Sequence, residues 1–493
     1  MDTAVRPCGQ DMDPSSYTRA QVAVENTVYH FDKPFDYRIP ESLRGKLLPG
    51  CRVIVPFGAG NAPRQGMVLG CLAGECPDGL KEISVLLDET PLLSRELVSM
   101  VPWLRDRYFC TLFDAVKLLL PAGISLRLRE GFRLAKPLAD LPVEGLHTLA
   151  RRKKGAEREE LCRAAGLDPQ DSTLDRLCAA GAVVRERDAV RQIGDATLRM
   201  VRLCPDSLPE KPTAKQREVI RFLQETGAAS VKELCYYAGV TASVVNGLAA
   251  RGAVEFYEYE VYRSPYSEAA EPASREDISL SAEQQAAFDR LYRQYEQGKG
   301  GVSLLYGVTG SGKTSVFLRL IDEVYPSGRG IIVMVPEISL TPQTVSVFQK
   351  RYGNRVAVFH SGLSLAERLG EWKRVRRREA SIVVGTRSAV FAPFDDVGLI
   401  VMDEEQEYTY KSESSPRYHA REAAKFRCAW HKALLVLCSA TPSVESFYFA
   451  QSGRYSFQKL PQRYGTAELP PVEIVDMNDE LEAGNNTVLS ARL

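Results

Sequence analysis

The residues best suited to chemistry lie at 307–314, Gly-Val-Thr-Gly-Ser-Gly-Lys-Thr, a GxxxxGK[ST] arrangement. The apolar run Leu304-Leu305-Tyr306 precedes it, and Ser-Val-Phe-Leu-Arg-Leu follows in a helical pattern. Glycines let successive backbone N–H groups turn inward around a phosphate, and the next helix adds its positive end. On this reading Gly307, Val308, Thr309, Gly310, Ser311 and Gly312 wrap the phosphates of a nucleotide. Lys313 reaches the β- and γ-phosphates, and the Thr314 hydroxyl binds Mg²⁺. The plainer alternative is a Gly/Ser loop between a strand and a helix.

Ninety residues after Lys313, an apolar strand pattern ends in Asp403-Glu404-Glu405. Acids beside a phosphate site need a cation, and Mg²⁺ supplies it. Asp403 is expected to hold the metal, mostly through water, and Glu404 to orient and deprotonate the attacking water. Ser439 and Thr441, in Ser439-Ala-Thr-Pro-Ser443, offer hydroxyls to bridge the nucleotide site to a moving element, or they form an ordinary turn. Gln284, 29 residues before Lys313, has an amide that can read adenine with one donor and one acceptor, or is a surface glutamine. Ser339 in Pro336–Thr341, and Thr386 and Arg387 in Gly385–Ala389, suit the phosphates of a nucleic-acid strand. Tyr408, Tyr410, Lys411, Arg417, Tyr418 and His419 interleave rings and cations, which suits stacking on unpaired bases. A loop packed on its own domain is the other reading of that run.

These residues need elements to position them. From Leu280 onward apolar strands alternate with helical patterns, the mark of a parallel α/β sheet. Six strands are predicted: 302–306, 331–335, 356–359, 381–384, 399–402 and 434–438. Each runs directly into a polar cluster. Ligands of open α/β sheets sit outside the carboxyl ends of the strands, so the six clusters should converge on one face.

The 493 residues suggest three or four domains. The expected class is multidomain α/β. Residues 1–16 read as a disordered lead-in. Short apolar strands punctuated by Gly and Pro over 17–122 predict a small β-barrel-like module with helices after Glu82. A weak internal repeat follows. Glu160–Leu167 resembles Glu233–Val240, and Leu177–Val183 resembles Leu248–Val254. Each copy reads helix, turn, helix, strand, the order of a winged helix, over 123–205 and 206–266. Such units contact DNA or act as protein spacers. Basic residues near the first copy and Glu255, Glu258 and Glu260 in the second favour DNA contact at the first. A polar linker at 267–279 leads to a P-loop lobe at 280–465 and a final segment at 466–493.

Net charge is +0, so a nucleic-acid site must be a local patch. No stretch approaches the ~18 apolar residues of a membrane span, and the amino terminus has no signal-peptide pattern. The 11 cysteines are scattered singly with no CxxC, which predicts reduced core thiols in a cytoplasmic protein and no zinc site.

Taken in order, GVTGSGKT, PEISLT, FHSGL, GTRSAVFAPF, DEEQEYTYK, PRYHARE and SATPS resemble superfamily 2 DNA helicases, and more narrowly the PriA family of replication-restart helicases. Phe35-Asp-Tyr37, Leu48–Gly58 with Arg52, and Gly66-Met-Val resemble that family's 3′-DNA-binding domain. The resemblance implies a 3′→5′ helicase, nucleoid-associated, that uses ATP and Mg²⁺. Its implied partners are branched or forked DNA with a 3′ end, single-stranded DNA, primosome proteins and single-strand-binding protein. Phe35, Asp36 and Tyr37 would approach a 3′-terminal nucleotide, Asp36 accepting from its 3′-OH, with Arg52 as a further DNA contact. Gln406 stands where the family usually has His and can still bridge by hydrogen bonding; with Ser439 and Thr441 it makes up the implied coupling set. The family continues into a second RecA-like lobe interrupted by a zinc module, whose ligands are not in these residues. The expectation is a chain that binds ATP and DNA but hydrolyses ATP poorly. The rival readings are a fork-binding scaffold with nucleotide as a switch, and another superfamily 2 translocase.

Overall fold

The alternation after residue 280 folds into one parallel sheet in the computed structural model of the chain. The structure describes residues 13–121, 124, 126–134, 156–157, 176, 178, 183–191, 197–204, 209, 212–260, 277–463 and 472–492. Most of the expected lead-in and linker lies outside these residues, as do Glu160–Leu167 and most of Leu177–Val183 from the first repeat copy.

Five strands make the first sheet: β1 (Tyr17–Val24), β2 (Phe35–Arg38), β3 (Arg52–Phe57), β4 (Ala62–Ala73) and β5 (Val85–Leu86). All pair antiparallel, in the order β2-β1-β4-β3-β5. No ladder joins the two edges. Arg38 N donates to Lys81 O and Ile83 N donates to Arg38 O, which links β2 to the segment entering β5. Alternation puts Val22, Val24, Tyr37, Val53 and Val55 in one core, while Ala23 and Met67 face helices α1 (Arg95–Tyr108) and α2 (Leu112–Leu119).

Ser94 caps α1, and Leu97, Met100, Val101 and Leu104 repeat at helical spacing on its buried face. Thr111 and Asp114 form a capping box at the start of α2. These helices share a core with the P-loop lobe through helix Ala420–His431. Between them lies a buried ion pair. Arg427 Nε donates to Glu96 Oε1 at 2.7 Å and Nη2 to Oε2 at 3.0 Å, and the two side chains are 0% and 1% exposed. Arg427 also donates to Val390 O and Ala392 O. Arg376 donates to Leu92 O and Pro91 O across the same junction.

Two three-stranded antiparallel sheets follow. β6 (Leu126–Leu134) lies between β7 (Ala156–Glu157) and β8 (Val183–Arg191). β9 (Thr197–Leu203) lies between β10 (Ala228–Ser230) and β11 (Val254–Glu260). Helices Ala214–Thr226, Val231–Tyr237 and Ala242–Ala250 pack on the second of these. β9 precedes the expected 205/206 boundary yet pairs residue by residue with the later unit, Val254 opposite Leu203 through Glu260 opposite Thr197. A strand belongs to the sheet that satisfies its backbone groups, so β9 goes with β10 and β11.

The lobe's strands are β12 (Gly301–Gly307), β13 (Gly330–Met334), β14 (Val356–Phe359), β15 (Ile382–Gly385), β16 (Val397–Met402), β17 (Leu434–Ser439) and β18 (Ser456–Leu460). Their order is β14-β15-β13-β16-β17-β12-β18, every pair parallel. β13, β15, β16 and β17 are buried at every residue, as a sheet covered on both faces requires. β18 was not expected. None of the described cysteines is disulfide-bonded, and Cys51, Cys110, Cys428 and Cys438 are buried. No helix among the described residues is long and apolar enough to cross a membrane.

Candidate nucleotide and nucleic-acid site

Strand order sorts the polar clusters into two groups. β12, β17 and β16 are neighbours, and so are β13, β15 and β14 on the other side of β16. The glycine loop follows β12 and the acids follow β16. The Ser439 cluster follows β17, between them.

Gly310 and Gly312 have φ of 79° and 78°, the left-handed region that L side chains enter at a cost. Gly312 also ends the turn from which helix Lys313–Val324 starts. A methyl group on Gly312 would come within 2.3 Å of Gln284 Nε2. That amide is 2% exposed. Its nitrogen donates to Ser311 O at 2.9 Å, and its oxygen accepts from Ser281 N at 2.9 Å. Gln284 is therefore engaged inside the protein, bracing the loop and capping helix Ala282–Glu296. It does not present a free amide edge to a base. Lys313 Nζ donates to Gly307 O at 2.9 Å and to Val308 O at 3.5 Å, which keeps the ammonium in the mouth of the loop. Val308, Thr309, Gly310 and Thr314 are exposed beside it, and Ser311 is buried.

Past β16 the chain turns sharply, with Glu404 at φ 43°. Burial pushes the Asp403 carboxyl up to about 6, and Glu404 adds to this, while the Glu404 N–H and Lys313 oppose it. Two adjacent carboxylates at that depth, facing a lysine, form the donor chemistry that suits a hard divalent cation. Gln406 Nε2 donates to Glu404 Oε2 at 2.9 Å, and Ser439 Oγ donates to Gln406 Oε1 at 2.6 Å. Thr441 N in turn donates to Ser439 Oγ at 2.9 Å. Glu404, Gln406, Ser439 and Thr441 thus form one chain of hydrogen bonds across β16 and β17.

Glu405, 1% exposed, was not singled out from the sequence. Its carboxylate accepts from Ser443 N at 2.7 Å, Arg421 Nη1 at 2.9 Å and Ser446 Oγ at 3.1 Å. Its place in an acid triplet was a signal. Its partners, 16 to 41 residues away, were not readable.

On the other side of β16, a cleft of about 700 Å³ opens along the ends of β13, β14 and β15. Thr386, Arg387, Tyr408 and Lys411 line it, with His360, Trp372 and the end of α2 from Lys117 to Pro121. Tyr408 is 76% exposed there. Arg387 Nη1 donates to Lys411 O at 2.7 Å and Thr409 O at 3.1 Å, so it also holds the loop that carries Tyr408. Ser339 lies on the turn after β13, at Glu337–Ser339. Arg417 is exposed but is not among the residues lining the cleft.

Three expected DNA contacts are structural. Tyr410, 1% exposed, donates its hydroxyl to Asp403 O at 2.7 Å. Tyr37 points into the first sheet's core, and its hydroxyl reaches Pro56 O at 3.2 Å. Arg52, 1% exposed, forms a double ion pair with Asp88 and donates to Ile124 O. In each case the side chain occupies the buried side of a pleat or turn. On β2 the alternation leaves Asp36 exposed and Phe35 half-buried, packed edge-on against Phe57.

His419 starts helix Ala420–His431, its ring Nδ1 accepting from Arg421 N at 3.2 Å. Burial holds its pKa down at about 4, helped by Arg421 and Lys411 and opposed by Glu422. The unfolded chain, with His near 6.5, binds the proton more readily. Between pH 6.5 and 4 stability therefore rises with pH on this residue's account. A His419→Asn variant, which keeps a capping acceptor, is expected to lose less of its melting temperature than the parent from pH 7 to pH 5. Parallel pH profiles would refute this.

Comparison with known proteins gives two family-model matches. Residues 21–121 match the 3′ DNA-binding domain (3′BD) of PriA, and residues 281–448 match the DEAD/DEAH box helicase family. Replication restart protein PriA of Bacillus subtilis is 37% identical over 486 residues, 96% of this chain and 59% of the relative. The protein of the same name from a Synechocystis species is 32% identical over 484 residues, 93% of this chain and 57% of the relative. That of Chlamydia pneumoniae is 28% identical over 480 residues, 95% of this chain and 54% of the relative. The chain thus spans a little over half the length of these relatives.

Proposed function

We propose, from the premise that this chain belongs to the PriA family of replication restart proteins, that it supplies the DNA-reading modules and the ATP-gripping lobe of a 3′→5′ fork helicase. The observation that carries the reading is the strand order. It sets the phosphate loop, the bridge and the acids on three neighbouring strand ends, and the cleft on the next three.

In this mechanism the loop N–H groups and Lys313 bind the phosphates. Thr314 and Asp403 would hold Mg²⁺, which neutralises charge on the β- and γ-phosphates when bound. Glu404, oriented by Gln406, takes the proton of the attacking water. The Gln406–Ser439–Thr441 chain ties that carboxylate to the segment after β17, so a shift there alters the base. Arg387 fixes the Tyr408 loop, and Tyr408 and Lys411, both lining the cleft, offer a ring and a cation to an unpaired strand. The first sheet domain reads the 3′ end through Asp36. The barrel-like closure of that sheet and the winged-helix character of the β9–β11 unit belong to the same proposal, as do fork substrates and primosome partners.

The test is end discrimination. The parent is expected to bind a fork with a free 3′-OH more tightly than one ending in a 3′-phosphate. Asp36→Ala should bring the two to within about twofold, because a hydrogen bond to a charged acceptor contributes about 1.5–3 kcal/mol. Equal binding of both ends by the parent would remove the pocket assignment.

A further inference from the structure

Between β1 and β2 the chain exposes Val28 at 61%, Tyr29 at 36% and Phe31 at 76%, with His30 exposed between them. Three large apolar side chains in four residues, turned to solvent, need a reason. The loop is built to hold them there. Asp32, 4% exposed, accepts from Thr27 Oγ1 at 2.8 Å, Arg105 Nε at 3.2 Å and Leu112 N at 2.6 Å. The one buried carboxylate thus ties the loop to α1 and to the first residue of α2. Arg105 lies over the Tyr29 ring at 5.1 Å, and Phe109, 76% exposed, sits on the α1–α2 turn beside this anchor.

The loop also lies on the side of the sheet that Asp36 faces. On β1, Val22 and Val24 enter the core with Phe35 and Tyr37 of β2 packed against or within it, while Ala23 faces α1 and α2. Asp36 pairs with Gln21 and so lies on the same face of the sheet as Ala23, the face toward α1 and α2. Residues 25–34 form the connection leading straight into Phe35 and Asp36.

We propose that Val28–Phe31 is a stacking platform for an unpaired base of the strand whose 3′ end is read at Asp36. The occupant is single-stranded nucleic acid. The platform lies inside the span that matches a 3′ DNA-binding domain, residues 21–121. Its rings are accompanied by Arg105 and the exposed Lys33, and rings beside cations stack on any base without reading its edge. The loop is fixed before the ligand arrives, so little ordering entropy is lost on binding. The inference rests on the 3′-end reading given above and adds a second contact to it.

The test uses the whole chain with Val28→Ser and Phe31→Ser combined, and Phe31→Trp as the conservative variant. The probe is a duplex with a single-stranded 3′ tail carrying 2-aminopurine at the last or next-to-last position. The double variant should bind about tenfold more weakly, in line with losing one base–ring contact. It should lose the fluorescence change at one of the two positions and keep its preference for 3′-OH over 3′-phosphate. Phe31→Trp should bind like the parent. If the double variant binds within twofold of the parent while Asp36→Ala loses end discrimination, the platform is wrong and the surface serves a protein partner or a second copy. If Asp36→Ala instead keeps full discrimination, the 3′-end reading fails separately. A tenfold loss in the double variant then still supports a base platform, and no loss overturns it.

Discussion

Lys313→Ala is expected to weaken ATP binding by about 10- to 100-fold, in line with the ~1.5–3 kcal/mol of a hydrogen bond from a charged donor. Turnover, where the whole protein is assayed, should fall by about 100-fold or more, because the ammonium faces charge that grows in the transition state. Outside the loop its charge acts on Asp403, whose upward shift it opposes. It sits on Gly307 O and Val308 O, both in the loop itself, and its removal leaves the core clusters intact. Affinity for a fork without nucleotide should stay within twofold, since Asp36 and its surroundings lie in the separate first sheet. Titration with a fluorescent ATP analogue and fork binding on the same preparation give both numbers. ATP affinity within threefold of the parent would remove Lys313 from the phosphate site. If the variant restores forks in cells as well as the parent does, nucleotide is dispensable and the scaffold reading replaces the motor.

Glu96→Leu should cost about 3–5 kcal/mol of stability, the range for removing one partner of a buried ion pair. The guanidinium left behind is 0% exposed and keeps only Val390 O and Ala392 O. Arg427→Met should cost at least as much, because it strands the Glu96 carboxylate with His431 Nε2 at 3.0 Å and frees two carbonyls. The double variant should lose less than the sum, since neither charge is then buried alone. Trp103 packs against Phe426 across the same junction, the rings tilted and their centres 5.0 Å apart, so its fluorescence should report separation of α1 from helix Ala420–His431 during urea unfolding. Burial pushes the Glu96 carboxyl up, but Arg427 and His431 outweigh this and hold it below its ordinary value. Its contribution is present above the unfolded carboxylate pKa and is lost as pH falls through the folded one. Additive losses in the double variant would refute the coupling.

The glycine loop, the acids and the six strand ends were legible because each is local: a strand pattern of four or five residues running into a polar cluster. β18 was not, because Ser456–Leu460 is a short edge strand of mixed burial with little period to detect. Strand order was not either, and it is the order that places Ser439 between Gly307 and Asp403. Tyr37, Arg52 and Tyr410 show a different limit. Their residue types suit nucleic acid equally well on either side of a pleat or turn, and only packing decides which side is wet. The pairs Glu405–Arg421 and Glu96–Arg427 lie 16 and 331 positions apart, and nothing in a local pattern announces them. Asp36 was readable only as part of Phe35-Asp36-Tyr37, and the alternation of β2 separates it from its neighbours.

Gln406 joins Glu404 to Ser439 through an amide. An imidazole at that position would gain a proton between pH 5 and 8 and lose its acceptor. An amide has no proton to gain there, so its donor always faces Glu404 and its acceptor always faces Ser439. The Gln406 bridge from Glu404 to the segment after β17 therefore keeps its own protonation state across that range. On acidification this joint keeps its polarity, whereas an imidazole at position 406 would change its own.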